Sequence, residues 1–150
     1  MIIIFNVKET VLYLTHKYNT CNPFELADAL KITIFYEELG TINGYYNNPL
    51  RMRQIHINHS LDRHMAEYTC AHELGHAVLH PEASAPFLRS HTMLSVDKME
   101  TEANAFAVNL LISDEIIAEN QNFTTRQLAR LLGYSLDLIE LRLKTFQYIP

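Results

Sequence analysis

The segment 72–76 reads His-Glu-Leu-Gly-His and lies inside the longest stretch with helical apolar spacing, from about Leu61 to His80. This stretch has no proline and a single glycine, so the sequence predicts one long helix here. Because each helical residue advances by about 100°, His72 and His76 lie about 40° apart on one face and about one turn apart along the axis. Two imidazoles at that spacing can grip one tetrahedral metal ion.

Glu73 follows the first histidine directly and lies about 100° round the helix from it. Its carboxylate is near the histidine face without being at its centre, so it can take a proton from the attacking water without binding the metal itself. The combined pattern is typical of zinc peptidases. Only three positions of the pattern are fixed, however, so satisfied core or surface histidines are the alternative interpretation.

A hydrolytic zinc site needs a third protein ligand, for which the candidates are Glu100 and Glu102 on the predicted helix Val96–Ile112. On a helical wheel Glu100 lies at the edge of the apolar face with Ala103 and Ala107, whereas Glu102 falls on the polar face. A carboxylate in a core-facing position needs a positive partner. We therefore expect Glu100 to be the ligand, with Glu102 as the alternative.

Several other polar residues near these motifs are candidates for supporting the ligands or the reaction. Asn104, one turn after Glu100, could hydrogen-bond the free nitrogen of a ligating histidine or simply pack at a helix contact. His80 is about two turns along the axis from His72, so we interpret it as a helix-end residue or a partner of a ligand, most simply at the surface. The conceivable oxyanion donors, among which the sequence does not choose, are Tyr68, Tyr45, Tyr46 and His91.

Around these motifs the pattern predicts an α+β fold, mostly helical, with a small three-stranded antiparallel sheet and a zincin-like active-site helix. The apolar run at the N-terminus is interpreted as a buried strand or staple. No repeat or linker interrupts the chain, so one domain over 1–150 is predicted. The other predicted elements are helices at 7–18 and 24–30, strands at Lys31–Glu38, Thr41–Tyr46 and Arg51–Asn58, and a C-terminal helical pair at about 124–147.

Composition narrows the class of protein. The chain has a net charge of −5 with histidine neutral and lacks the basic footprint of a nucleic-acid binder. No apolar run approaches the ~20 residues of a membrane span, and two cysteines are too few for the disulfide framework of a small secreted protein. These observations predict a cytoplasmic protein with no membrane contact and no direct binding of nucleic acid.

Three blocks of sequence resemble the ImmA/IrrE metallopeptidases. They are Ile-His-Ile-Asn at 55–58, Tyr-Thr-Cys-Ala-His-Glu-Leu-Gly-His at 68–76 with His80, and Glu-Thr-Glu-Ala-Asn-Ala-Phe-Ala at 100–107 with the Leu-Leu pair at 110–111. The family's recurring glutamate, three residues before the Ala-Asn pair, falls on Glu100. Ser113 replaces the proline that often follows the Leu-Leu pair, and Tyr68 replaces the usual phenylalanine, but neither is a proposed ligand.

The resemblance implies a zinc-dependent endopeptidase of the type that phages and mobile elements encode. Such enzymes remove a helix-turn-helix repressor and so derepress transcription. A protein substrate, and an activator protein as a possible second partner, are implied by this resemblance alone.

Two other functions compete with the peptidase interpretation. One keeps the zinc but only binds the repressor, as a non-catalytic regulator. The other is DNA binding, since 127–142 has helix-turn-helix spacing. The would-be recognition helix, however, offers Leu136, Asp137, Leu138 and Glu140 where Arg, Lys, Asn or Gln usually contact DNA.

Overall fold

The computed structural model describes residues 2–82 and 93–146. The helices are α1 (Ile2–Tyr18), α2 (Pro23–Ala29), α3 (Arg63–Leu79), α4 (Met93–Leu111), α5 (Asp114–Glu119), α6 (Thr125–Leu132) and α7 (Leu136–Leu143). The strands are β1 (Thr33–Glu37), β2 (Gly44–Asn47) and β3 (Gln54–Asn58). The predicted class is therefore confirmed: a mostly helical α+β fold with one small sheet. Within the described residues, no helix has the length and apolar character needed to cross a membrane.

The sheet has the strand order β1-β3-β2 and is mixed. The expected antiparallel pairing holds for β2 with β3, but it is wrong for β1, which runs parallel to β3. The reason is topological: the chain passes from β1 to the far edge, forms β2, and then returns to insert β3 between the two. The fully buried Ile55 and Ile57 of β3 face the helices, and β2 is left as an edge strand.

The N-terminal apolar run forms the beginning of a helix and not the strand that the sequence suggested, since α1 begins at Ile2. Further along α1, Val7, Val11 and Leu14 recur at helical spacing and are buried in the main core. This packing outweighs the β propensity of the isoleucines, because tertiary burial contributes more than intrinsic preference.

Helices α3 and α4 cross closely where the chain has small residues. A Cβ built on Gly75 would lie 3.0 Å from Cβ of Phe106 and 3.2 Å from Cα of Ala103, so only glycine allows this approach without a shift. Glu100 lies just under one turn before Ala103, and the crossing therefore brings it opposite the histidines of α3. The same small residues that shape the core thus set the geometry of the site.

Replacing Gly75 by valine should therefore separate α3 from α4. We expect Gly75→Val to lower the free energy of unfolding by about 1–3 kcal/mol, the usual cost of overpacking a core. Gly75→Ala should cost less, because one methyl group needs a smaller shift and alanine favours the helix. Urea unfolding of both variants measures this, and equal stability of Gly75→Val and the wild type would contradict the tight crossing.

The C-terminal helical pair forms as predicted, at slightly different bounds. Thr124 and Gln127 make the expected capping box at the start of α6, and Gly133 ends the helix with φ of 78°. Ser135 then caps α7. The pair packs onto the end of α4 through a second apolar cluster that consists of Val108, Ile112, Ile117, Leu128, Ala129 and Ile139.

A buried ion-pair network fixes α7 to the rest of the molecule. Arg142 is 2% exposed and donates hydrogen bonds to Asp114 and to the carbonyl oxygen of Ile112. Lys8 of α1 binds the same carboxylate at 2.9 Å. Burial alone would raise the pKa of Asp114, but the hydrogen bonds from Arg142 and Lys8 outweigh it and lower the pKa.

Candidate active site

Helix α3 brings three polar side chains to one side of a cavity. Donor atoms of His72, Glu73 and His76 lie within 4.8 Å of one another. His76 is 2% exposed and Glu73 is 7% exposed, so both are withdrawn from solvent. The cap on α3 fixes the start of the helix that carries the motif: the side chain of Asp62 accepts from the backbone N–H of Met65, almost four turns before His76.

Glu100 reaches the same point from α4. Its two carboxylate oxygens lie 3.1 Å from Nε2 of His72 and 2.8 Å from Nε2 of His76. Glu102 contacts neither imidazole and instead accepts from His80, at 2.9 Å between Oε2 and Nε2. Of the two sequence candidates for a third ligand, Glu100 is the one that lies between the two histidines.

The pKa values of the two carboxyl groups beside the histidines are shifted in opposite directions. Burial raises the pKa of Glu73, and the neighbouring imidazoles only partly oppose this. Burial would also raise the pKa of Glu100, but hydrogen bonds from His72 and His76 outweigh it and lower the pKa. Glu100 is therefore a stabilised anion and Glu73 a more basic carboxylate, which are the properties expected of a ligand and of a general base.

The donor set fits a divalent metal ion. Two imidazole nitrogens and one carboxylate are a typical three-ligand catalytic zinc set. Ligands of a tetrahedral zinc at ~2.0–2.1 Å are roughly 3.3 Å apart, so the observed nitrogen–oxygen distances of 2.8 and 3.1 Å need only a small expansion. Among the described residues, the buried Oε2 of Glu73 has no hydrogen-bond partner. A buried carboxylate oxygen without a partner is costly, and a water held at the metal would remove that cost.

His80 ends α3 as predicted, but the simplest expectation of a surface role is wrong. Its side chain is 10% exposed, and that of its partner Glu102 is 15% exposed. Nδ1 of His80 also lies 3.3 Å from Nδ1 of His76. Burial lowers the pKa of His80, although Glu102 opposes the shift. The helical wheel assigned Glu102 to a polar face because it could not show that the end of α3 covers that face.

The cavity beside these residues has a volume of about 350 Å³ and is also lined by residues of β2. Tyr68 lines it, and its hydroxyl donates a 2.7 Å hydrogen bond to Oδ1 of Asn104. Burial, followed by the charge of Glu100, raises the pKa of Tyr68, so the hydroxyl keeps its proton. Asn104 therefore binds Tyr68, whereas among the described residues Nδ1 of His72 has no hydrogen-bond partner.

Tyr45 and Tyr46 also line this cavity, but both make other contacts. The hydroxyl of Tyr46 donates to the carbonyl oxygen of Pro81 at 2.8 Å. The ring of Tyr45 stacks on His56, with 4.4 Å between ring centroids. His91 lies outside the described residues. Tyr68 is thus the donor best placed by the fold.

The helix-turn-helix spacing at the C-terminus does not produce a basic surface on α7. Ile139 and Arg142 are buried in the core, and Arg142 is neutralised by Asp114. Asp137 and Glu140 are exposed on the helix. An acidic exposed face repels phosphate, so this geometry disfavours DNA binding by α7.

Comparison with known proteins gives concordant sequence matches. The sequence model of the peptidase family described as the IrrE N-terminal-like domain matches residues 27–144. The chain is 40% identical over 139 residues to immunity region protein 2 of Bacillus phage phi105, a match that covers 91% of this chain and 88% of that protein. It is 31% identical over 129 residues to the metallopeptidase ImmA of Bacillus subtilis strain 168, which covers 82% and 75% of the two chains.

A solved structure shows the same fold at lower sequence identity. A transcriptional regulator of Mycobacterium tuberculosis superimposes with a TM-score of 0.63 at 15% identity. The match covers 95% of this chain but 47% of the regulator, so this chain spans about half of that protein. The likeness concerns the fold alone.

Proposed function

This chain belongs to the ImmA/IrrE family of metallopeptidases, and from that premise we propose that it is a zinc-dependent endopeptidase that cleaves a helix-turn-helix repressor. The proposed ligands are His72, His76 and Glu100, and Glu73 is the general base. The observation that carries the proposal is the position of Glu100, whose two oxygens lie within 3.1 Å of both Nε2 atoms beside a buried, more basic Glu73.

Zinc, when bound by these three residues, would polarise the peptide carbonyl and lower the pKa of water. Glu73 takes a proton from the attacking water and delivers it to the leaving amine, as a general base and then a general acid. Its raised pKa suits both steps, because a group that titrates closer to neutral pH can both accept and return a proton. Glu100 stays ionised throughout, since two imidazoles stabilise its negative charge.

Tyr68 is proposed to stabilise the oxyanion that forms at the peptide carbonyl. Its hydroxyl remains protonated and lines the cavity, and rotation away from Asn104 would direct the proton to the substrate. Asn104 holds the hydroxyl in place until the substrate arrives.

The edge strand β2 is proposed to bind the substrate as an extended peptide. Among the described strands it pairs only with β3, so its outer backbone groups are available for hydrogen bonds. Its residues 44–46 line the cavity next to the metal ligands. A peptide that adds to this edge would be positioned by main-chain hydrogen bonds, largely independently of its sequence.

The repressor substrate is proposed from the family resemblance and from the names of two relatives. One is named as an immunity region protein of a phage, and another as the metallopeptidase ImmA. A transcriptional repressor would place the enzyme in the cytoplasm, where an activator protein is a further partner to be tested. The described residues give no basic surface on α7, so no direct contact with nucleic acid is proposed.

The proposal is tested by metal removal. The purified protein is analysed for zinc and incubated with any helix-turn-helix repressor that its gene neighbourhood encodes. We expect one zinc per chain, cleavage of this repressor but not of an unrelated one, loss of cleavage after chelation, and recovery with added Zn²⁺.

Two results would contradict the peptidase proposal. A protein that binds no metal at micromolar zinc would exclude the zinc site itself. A protein that binds zinc and the repressor but leaves it intact, also with lysate from induced cells as a source of activator, would instead establish the non-catalytic regulator.

A further inference from the structure

We propose that His80 and Glu102 form a hydrogen-bonded relay that holds the imidazole of His76 in the tautomer and orientation required for binding a metal ion. This inference rests on the proposed function, because it concerns how one of the proposed ligands is positioned. His80 and Glu102 are thus positioning residues and not ligands.

Two sets of polar contacts join α3 and α4, and the relay forms the second of them. In the first set, Glu100 of α4 contacts His72 and His76 of α3. In the second, Glu102 contacts His80, one turn further along α3, and His80 contacts His76. The three rings of α3 follow one another, with 5.0 Å between the centroids of His72 and His76 and 5.5 Å between those of His76 and His80.

Counting hydrogen-bond donors and acceptors defines the histidine tautomers in the relay. A metal ligand needs a lone pair on its coordinating nitrogen, so Nε2 of His76 must be unprotonated and its Nδ1 must carry the hydrogen. That hydrogen is donated to Nδ1 of His80 at 3.3 Å. His80 then carries its own hydrogen on Nε2 and donates it to Oε2 of Glu102 at 2.9 Å. Each donor meets one acceptor, and the negative charge of Glu102 lies at the end of the relay.

The burial of the relay makes these hydrogen bonds effective. The side chains of His76, His80 and Glu102 are 2%, 10% and 15% exposed, so water competes little for their polar atoms. A carboxylate that acts on a ligating histidine in this way orients the ring and makes it a stronger ligand. Here a second imidazole extends the connection, because Glu102 contacts His80 and His80 contacts His76.

The two proposed histidine ligands differ in the hydrogen-bond partner of their Nδ1 atoms. Among the described residues Nδ1 of His72 has no hydrogen-bond partner, whereas Nδ1 of His76 has His80. His76 is therefore the preorganised ligand, and the relay should affect its tautomer and leave that of His72 unchanged.

The relay is tested with two pairs of variants. His80→Phe keeps a ring but removes the acceptor for His76, whereas His80→Asn keeps an acceptor oxygen near the position of Nδ1. Glu102→Leu removes the acceptor for His80, whereas Glu102→Gln keeps one. The matched control is Glu67→Gln, which changes a glutamate of α3 that only pairs with the exposed Arg63.

Two readouts are measured in neutral buffer, and neither depends on cleavage. Zinc affinity is obtained by competition with a chromophoric chelator, and histidine tautomers are assigned from long-range ¹H–¹⁵N spectra of the metal-free and Zn²⁺-loaded proteins. We expect His80→Phe and Glu102→Leu to weaken zinc binding by about 10–100-fold, as for other partners of metal ligands. His80→Asn and Glu102→Gln should recover most of the loss, and the hydrogen of His76 should be on Nδ1 in the Zn²⁺-loaded wild type.

The outcomes separate the relay from the proposed function. A wild type that binds no zinc refutes the function, and the relay is then decided in the metal-free protein, where a His80→Phe variant that leaves the tautomer of His76 unchanged refutes it. A wild type that binds zinc, together with His80→Phe and Glu102→Leu variants of unchanged affinity, refutes the relay alone. The relay is also refuted if His80→Asn binds zinc as weakly as His80→Phe. The same holds if Glu102→Gln binds zinc as weakly as Glu102→Leu. If His80→Phe does not fold, as judged by circular dichroism, Glu102→Leu decides, because it leaves all three rings in place.

Discussion

Glu73→Gln should abolish repressor cleavage while zinc remains bound. The amide cannot accept a proton, so the rate should fall by about 10²–10⁴-fold, the usual contribution of a general base. The zinc content should stay at the wild-type value, because the three proposed ligands are untouched. The measurement is the initial cleavage rate at saturating zinc, together with metal analysis of the same sample.

Glu67→Gln is the control for this prediction, since it makes the same chemical change on the same helix but in an exposed ion pair. It should cleave at the wild-type rate. The thermal unfolding midpoint of both variants shows whether the buried amide disturbs the fold. A Glu73→Gln protein that cleaves as fast as the control would remove Glu73 from the mechanism.

Glu100→Ala should lose both zinc and activity. The apparent binding free energy of four-ligand structural zinc sites is about 10–16 kcal/mol, or roughly 2.5–4 kcal/mol for each ligand if shared equally. Removal of Glu100 should therefore weaken zinc binding by about 10²–10³-fold. Competition with a chelator of known affinity measures this effect, and cleavage should fall in parallel when zinc is limiting.

The comparison with Glu102→Ala decides between the two carboxylates that the sequence left open. Glu102→Ala should still bind one zinc per chain at saturating metal, with a smaller loss of affinity through His80. Glu115→Ala, at an exposed position of α5, controls for the loss of a negative charge and should bind zinc as the wild type does. A larger loss with Glu102→Ala than with Glu100→Ala would reverse the ligand assignment.

Elements whose signals are local were predicted well. The long helix that carries His72 and His76 follows from its apolar period and its lack of proline, and the structure confirms it at Arg63–Leu79. The capping box at Thr124 and the glycine that ends α6 were also readable, because caps depend on residues within one turn. The N-terminal run was misread for the opposite reason: isoleucines favour strands locally, yet they continue a helix whose later residues are buried.

The direction of β1 and the contacts of the polar residues around the histidines depended on the whole chain. β1 and β3 are separated in sequence by β2, and only the path of the chain makes them parallel. His80 had one readable signal, its spacing of four residues from His76, but nothing in the sequence showed that α4 would cover it. For Tyr68, the sequence could not show that Asn104 would hold its hydroxyl.

The sequence by itself determined that two histidines and a glutamate share one helical face, because residue spacing on a helix has a fixed geometry. It also identified the family, since three separate blocks carry the matching residues. Only the tertiary structure decided that Glu100 meets both imidazoles while Glu102 meets His80. The physical reason is that periodicity shows which face of α4 is apolar, whereas the contacts of each carboxylate depend on how closely α3 and α4 cross. This distance is set where Gly75 packs against Ala103 and Phe106.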